Sequence, residues 1–155
     1  MIEFGLYTMT DEYMHDYYPA RYPQDKAFKR PFFLVIDDTS VNGLIWLVPL
    51  SSKTDKYSPI LAKYENAGKI IHLYGSSDSV ILTQNVVPAL PRHIDEEFQV
   101  RQIHYVMHSD LIKKEIQKKV SAVRVLIKRG LIPDHEAIKL LEQRLLDEIK
   151  TDKFI

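Results

Sequence analysis

Residues 29–53 read KRPFFLVIDDTSVNGLIWLVPLSSK, and this stretch decides the fold. Two very apolar runs, at 32–36 and 44–50, are too short for typical helices and rich in β-branched and aromatic residues, which predicts two strands. The Asn42-Gly43 pair between them favours a hairpin with a type I′ turn, because that turn needs positive φ at both central residues. Neither run alternates apolar with polar residues. We therefore expect both strands to be covered on both faces, as in a closed barrel or a sheet beneath helices.

The two ends of this predicted hairpin carry its polar residues. An antiparallel pair brings its ends together, so Lys29 and Arg30 should lie close to Ser51, Ser52 and Lys53. Three cations and two hydroxyls at the rim of a rigid sheet are typical of a site that binds phosphate. The alternative interpretation is a polar turn with ordinary solubilising charges.

Length and composition limit the classes of protein to consider. The 155 residues are 45% hydrophobic, which predicts one domain, residues 1–155, with a substantial core. No leader peptide and no run of about 20 apolar residues is visible, so we expect a cytoplasmic protein without membrane contact. The sequence has no cysteine, which excludes disulfides and thiolate metal sites. Basic and acidic residues number 21 each, so RNA binding would need local basic patches.

The segment before the central hairpin predicts a strand at residues 2–8 and a short helix at 11–17. Thr10 is a suitable N-cap for this helix, which ends before Pro19. The loop at 21–30 follows, with Tyr22 and Lys26. Aromatic rings stack bases and cations hold phosphates, so these two residues are candidates for contacting single-stranded RNA. The alternative is that the aromatic residues of this loop pack inward.

The rest of the chain predicts more β-structure and then two helices. Residues 60–64 suit a short strand, the runs at 69–74 and 80–83 predict a second hairpin, and Pro88 and Pro91 predict a loop. Apolar residues then recur every three or four positions in two stripes, which predicts an antiparallel helix pair. The stripes are Ile112, Ile116, Val120, Val123 and Ile127, then Ile138, Leu141, Leu145 and Ile149. The predicted caps are Ser109 and Gly130 for the first helix and Asp134 for the second.

Several lysines of the first C-terminal helix lie off its apolar stripe. Lys113, Lys114 and Lys118 are candidates for contacting an RNA backbone, and Lys119 lies beside them. The alternative is an ordinary solvated helix face.

The order of these features resembles the toxin endoribonucleases of type III toxin–antitoxin systems, the ToxN/AbiQ family with its shorter CptN and TenpN relatives. The shared features are a strand, a short helix, a basic loop, an apolar strand led by Arg30-Pro31-Phe32, a turn at glycine and a strand ending in P-L-S-S-K. The resembling residues are 4–18, 29–53 and, more weakly, 85–88, which together are 44 of the 155 residues. The motif at 49–53 is the most specific part.

This resemblance implies a compact antiparallel SH3-like β-barrel, similar to the MazF and Kid toxins, decorated by helices. It implies metal-independent cleavage of RNA without a cofactor. It also implies a partner, a small RNA antitoxin of repeated pseudoknots that inhibits the toxin, is processed by it and forms a hetero-oligomer with it. Ser51 and Ser52 match the family's active-site hydroxyl pair, and Lys53 matches the lysine that follows.

The chain departs from the family pattern in three places. The family often has one residue between the second hydroxyl and the lysine, so Lys56 is an alternative to Lys53. The family's lysine before the central strand falls nearest Arg30, with Lys29 adjacent, and an arginine clamps phosphate well but stays charged. The family has an aromatic residue upstream of the central strand, and the position nearest to it in this chain is Lys26. These departures leave the general base open.

The implied chemistry is attack by the RNA's own 2′-hydroxyl on the adjacent phosphorus. Cations and hydroxyl donors stabilise the developing charge, so the candidate catalytic residues are Ser51, Ser52, Lys53 and Arg30. His104 and His108 have the spacing of a metal pair, but no acidic partner at the right offset supports a zinc site, and we predict no metal. Two other classes remain as alternatives. One is a non-catalytic nucleic-acid-binding module, and the other is a MazF-fold toxin directed at a protein target.

Overall fold

An antiparallel sheet and several helices form the described part of the computed structural model, which is residues 1–20, 22, 30–52, 55–57, 59, 74–75 and 79–152. The strands are β1 Leu6–Met9, β2 Phe32–Asp38, β3 Leu44–Ser51, β4 Tyr74–Gly75, β5 Val80–Ile81, β6 Val87–Ala89, β7 Ile94–Glu97, β8 Gln99–Val100 and β9 Ile103–His104. The helices are α1 Asp11–Asp16, α2 Asp110–Arg129 and α3 His135–Asp152, with 3-10 turns at Thr83–Asn85 and Pro91–His93. The predicted α+β class is confirmed.

The long strand β3 organises the sheet. The strand order is β4-β5-β3-β2-β1-β7, β6 also pairs with β3, and every pairing is antiparallel. The hairpin of β8 and β9 forms a separate small sheet. Among the described residues the order is open, with β4 and β7 at its edges. Within the same residues, no helix combines the length and apolar character that crossing a bilayer requires.

The central hairpin of β2 and β3 is confirmed, but the predicted type I′ turn is wrong. Five residues, 39–43, connect the strands after the Asp38–Leu44 pair. Two backbone N–H groups, those of Val41 and Asn42, donate to the Asp38 carbonyl, which coils the loop into a wider turn. Gly43 has a positive φ of 85°, but Asn42 does not have the positive φ that a type I′ turn requires. The Asn42 side chain accepts a hydrogen bond from the Leu44 N–H at 3.0 Å.

Both faces of the central strands are covered, as their unbroken apolar runs predict. Trp46 of β3 is 2% exposed, and the Arg124 guanidinium of α2 lies 4.4 Å from the centre of its ring. The predicted stripes of α2 and α3 form the cover, because Ile116, Val120, Val123, Ile127, Ile138, Leu141 and Leu145 are all buried. Ser109 caps α2 by accepting from the Ile112 N–H at 3.3 Å, and Gly130 ends it with a φ of 67°.

The predicted secondary structure around this core is partly confirmed. Thr10 caps α1 by accepting from the Tyr13 N–H at 3.1 Å, as predicted, and β4 pairs with β5 as the predicted second hairpin requires. The loop predicted at Pro88 is wrong, because Pro88 lies in β6, opposite Trp46. A proline fits there since β6 pairs with β3 on one side and needs no second ladder. The predicted strand at 60–64 and most of the run at 69–74 lie outside the described residues.

Candidate functional site

The end of the central hairpin fixes the position of Arg30. The Leu50 N–H donates to the Pro31 carbonyl at 3.0 Å, just beyond the pairing of Phe32 with Pro49. The Arg30 guanidinium then donates from Nη1 to the Leu50 carbonyl at 3.3 Å. The two ends of the hairpin therefore lie together, as the sequence predicts.

The two adjacent serines differ in access. Ser51 is the last residue of β3, pairs with Val80 of β5 and is 5% exposed. Ser52 follows the strand and is exposed. Ser51 is therefore held within the sheet, and Ser52 offers its hydroxyl to a molecule that approaches the rim.

Tyrosine rings line the surroundings of Arg30. Tyr18 and Tyr22 are each 5% exposed, and their ring centres lie 5.8 Å apart in an edge-on contact. The Tyr18 ring also meets Phe32 edge-on at 5.6 Å. For Tyr22, a candidate for contacting RNA, the structure shows the inward packing named as the alternative, so its ring is not open to stack on a base.

The electrostatics of this cluster favour a bound anion. Burial raises the pKa of Tyr18 above its usual value, and the Arg30 charge partly offsets that rise, so Arg30 and Tyr18 lie close together. Arg30 is 7% exposed. Within the described part of the chain it forms no ion pair, and its Nε has no hydrogen-bond partner. A buried cation is costly unless paired, and a guanidinium matches the oxygens of a phosphate.

No family model matches this chain, and no curated protein matches it either. Function is therefore inferred from the residues at the hairpin end and from the motif that they form.

The other predicted cations are described only in part. Three of them lie outside the described residues: Lys26, Lys29 and Lys53. Lys56 is exposed, with its Nζ 5.4 Å from the centre of the Tyr57 ring. Burial raises the pKa of Tyr18, the Arg30 charge opposes that rise, and Tyr57 adds to it. The 56–57 segment therefore lies near the tyrosines around Arg30. Lys56 remains the alternative to Lys53.

The candidate lysines of α2 lie on a different element from the hairpin end. Lys114 and Lys118 are exposed. Lys113 is half-buried, because its ammonium lies 5.9 Å from the centre of the Phe4 ring and 3.9 Å from an Asp110 carboxylate oxygen. Lys114 and Lys118 are thus the two of these three that stand free of the sheet.

Two of the described histidines, His93 and His104, serve the fold. His104 Nε2 lies 3.0 Å from the Leu6 carbonyl oxygen, and its ring packs against Tyr7. His93 is 1% exposed and accepts from the Leu90 N–H through Nδ1 at 3.0 Å. Among the described residues, no group of three or more histidine or acidic side chains is arranged to hold a metal ion.

Sequence reasoning missed a second arginine–tyrosine cluster, centred on Glu148 of α3. The Tyr17 hydroxyl donates to the two Glu148 carboxylate oxygens at 2.9 and 3.1 Å, and Arg92 Nη2 lies 3.0 Å from one of them. Arg144 Nε lies 3.5 Å from the other, and its guanidinium stacks on the Tyr17 ring at 3.9 Å. Tyr17 and Glu148 stand 131 residues apart, so no local sequence signal could have joined them.

Proposed function

We propose that this protein is an endoribonuclease of the kind found as toxins in type III toxin–antitoxin systems, and that the hairpin end binds the scissile phosphate. The observation that carries the proposal is Arg30, a buried guanidinium without an ionic partner in the described part of the chain, next to the Ser51-Ser52 pair. The P-L-S-S-K motif at 49–53 supports the same reading. A phosphate would pair the buried charge.

The proposed reaction uses the RNA's own 2′-hydroxyl. Its oxygen attacks the adjacent phosphorus, the bond to the 5′-oxygen of the next nucleotide breaks, and a 2′,3′-cyclic phosphate and a 5′-hydroxyl result. Arg30 and the Ser52 hydroxyl donate to the phosphoryl oxygens, on which charge accumulates in the transition state. Ser51 holds the strand end in the sheet beside them.

Removal of the proton from the 2′-hydroxyl falls to groups other than Arg30 and the tyrosines described around it. Arginine stays charged at all ordinary pH values. Burial raises the pKa values of Tyr18 and Tyr22, so both stay neutral and neither supplies a phenolate base. Lys53 or Lys56, the two candidates for the lysine after the motif, would then move the proton to or from the reacting oxygens.

The proposal extends to the finer fold, a compact SH3-like barrel of the MazF and Kid type. Two features support it. The pairing register shifts between Leu34 and Ile36 of β2 and between Thr8 and Met9 of β1, and such bulges bend a sheet. β3 also pairs with two groups of strands: with β2 and β6 along most of its length, and with β5 at its end.

The proposed partners are a cellular or phage RNA as substrate and a repeated pseudoknot RNA as antitoxin, bound in a toxin–RNA hetero-oligomer in the cytoplasm. The basic helix α2 supports an RNA partner. It contains seven lysines and arginines against two acidic residues, although the whole chain is neutral. Lys114 and Lys118 are exposed on it. The backbone of a bound RNA would meet this face.

The test is cleavage of a single-stranded RNA in excess EDTA. We expect full activity, products with 2′,3′-cyclic phosphate and 5′-hydroxyl ends, and resistance of a substrate that carries a 2′-deoxy residue at the scissile position. Cutting of the deoxy substrate, or loss of activity in EDTA that Mg²⁺ restores, would contradict the mechanism. Binding of RNA without cleavage of any RNA would favour the non-catalytic binding module. An inert protein that neither binds nor cuts RNA would favour a toxin with a protein target.

A further inference from the structure

A groove lies beside the Glu148 cluster, and none of the described residues of the hairpin end lines it. Its volume is about 590 Å³. It is lined by Arg92, Leu140, Gln143, Arg144, Asp147, Glu148, Thr151 and Asp152. Pockets of about 300–1,000 Å³ suit a small organic ligand, so the groove can take a nucleotide.

Arg144 gives the groove a flat wall. Its guanidinium stacks on the Tyr17 ring at 3.9 Å, and Nη1 donates to the Asp16 carbonyl at 2.8 Å. The Arg144 side chain is 48% exposed and lines the groove, whereas Tyr17 lies behind it. The guanidinium plane is therefore fixed from behind and open in front, and such planes stack on unpaired bases.

Glu148 and Arg92 place a hydrogen-bond acceptor and a hydrogen-bond donor side by side in the groove lining. The Glu148 carboxylate accepts only, and its side chain is 29% exposed. Arg92 donates only, is 50% exposed and lies 3.0 Å from the same carboxylate. A ligand that presents an acceptor beside two adjacent N–H donors would meet both groups at once.

We propose that this groove binds a guanine base. Of the four RNA bases, guanine alone carries two adjacent donors, N1–H and the 2-amino group, next to the O6 acceptor. The two donors match the Glu148 carboxylate, O6 matches Arg92, and the ring stacks on Arg144. A neutral base also fits a wall whose three carboxylates outnumber its two arginines, whereas a bare phosphate would not. The base can belong to a free nucleotide or to an unpaired residue of RNA, and the second source rests on the proposed function.

The first test compares the binding of guanosine, inosine and adenosine 5′-monophosphates to the wild-type protein by calorimetry. The three share one phosphate and one ribose, so binding through the phosphate at Arg30 is common to all. Inosine lacks the 2-amino group, and a hydrogen bond to a carboxylate contributes about tenfold or more in affinity. We expect guanosine monophosphate to bind about tenfold more tightly than the other two. Equal affinities would overturn the proposal without touching the cleavage mechanism.

Variants assign the preference to the groove. Glu148→Gln should remove the difference between the guanosine and inosine nucleotides, and Glu142→Gln on the same helix, outside the groove lining, should keep it. Arg144→Lys retains the charge but loses the plane, so it should weaken all three nucleotides alike. Retention of the preference in a folded Glu148→Gln protein would overturn the assignment. The wild-type comparison decides the case even where this variant fails to fold.

A single-stranded RNA with one guanine, and its twin with inosine at that position, separate the two sources. A preference for the guanine RNA assigns the groove to a base of bound RNA. A preference among the mononucleotides alone assigns it to a free nucleotide. Failure of the proposed function would show instead as intact RNA in the cleavage assay, with the mononucleotide preference unaffected.

Discussion

Consecutive residues, Tyr17 and Tyr18, belong to two arginine–tyrosine clusters that balance their charge differently. Tyr17 binds Glu148, whose carboxylate also pairs with Arg92 and lies near Arg144. Tyr18 lies near Arg30, which forms no ion pair within the described residues. In the first cluster a carboxylate pairs with the arginines, and the set joins α1 to α3. The second holds a buried cation without an ionic partner among the described residues, and this difference is the basis for the proposal that phosphate binds there.

Replacement of the arginines tests this difference, and it should produce the largest effect at Arg30. Arg30→Met should slow RNA cleavage by about 10²- to 10³-fold, because a donor to the transition-state charge is lost. The free energy of unfolding of this variant should change by less than about 1 kcal/mol, or rise, since a buried charge without an ionic partner among the described residues is removed. Cleavage gels and urea unfolding measure the two quantities.

Arg144→Met is the comparison for stability, and Arg101→Met is the control for cleavage. Arg144→Met should lower the free energy of unfolding by about 1–2 kcal/mol, because contacts with Glu148, Asp16 and Tyr17 are lost. Arg101 is exposed in the turn between β8 and β9, and its replacement should leave cleavage unchanged. Equal destabilisation by Arg30→Met and Arg144→Met would contradict the proposed difference between the two clusters.

A lower pH should destabilise the fold through the buried His93, which packs against Tyr17 of the Glu148 cluster at 4.7 Å. Burial, helped by the Arg92 charge and opposed by Glu148, lowers the pKa of His93 to about 4. Between a pH of about 6.5 and about 4, His93 is protonated in the unfolded chain but stays neutral in the folded protein. The free energy of unfolding should therefore fall by about 3 kcal/mol between pH 6.5 and pH 4 from this residue.

Urea unfolding of the wild type and of histidine variants across this pH range measures the contribution of His93 as the difference between them. His93→Asn retains an acceptor for the Leu90 N–H and should flatten the pH dependence relative to wild type, whereas His15→Asn at an exposed site should not. An unchanged pH profile in His93→Asn would mean that water reaches this histidine.

The smallest expected effect concerns the Tyr17 hydroxyl. Tyr17→Phe retains the ring beneath Arg144 but removes the donor to Glu148, and it should cost about 1 kcal/mol of unfolding free energy. Thermal or urea unfolding measures this loss. A fully stable Tyr17→Phe protein would indicate that Arg92 and Arg144 alone satisfy Glu148.

Local patterns in the sequence predicted the parts of the fold that depend on local chemistry. The apolar runs of β2 and β3, the cap at Thr10 and the stripes of α2 and α3 all follow from periodicity and side-chain type. The turn at Asn42 was wrong because its backbone N–H turns to the Asp38 carbonyl, and the loop at Pro88 was wrong because pairing with β3 overrides its local preference.

The candidate site was predictable to the same extent. Antiparallel pairing alone brings Arg30 to the end of β3, so the hairpin ends could be joined from the sequence. The burial of Tyr18 and Tyr22 could not, because it depends on how the chain after α1 packs on Phe32. The Glu148 cluster joins three distant segments, and no spacing rule covers such a contact.

Cleavage of RNA by Ser52→Ala tests the central claim, that the hairpin end is where the phosphodiester is cut. Ser52 is exposed at the end of β3, so its loss should leave the melting temperature unchanged. The control is Ser40→Ala, an exposed serine in the turn at the other end of the same hairpin. We predict that wild type and Ser40→Ala cleave RNA in EDTA while folded Ser52→Ala does not. Wild-type cleavage by Ser52→Ala would contradict the account.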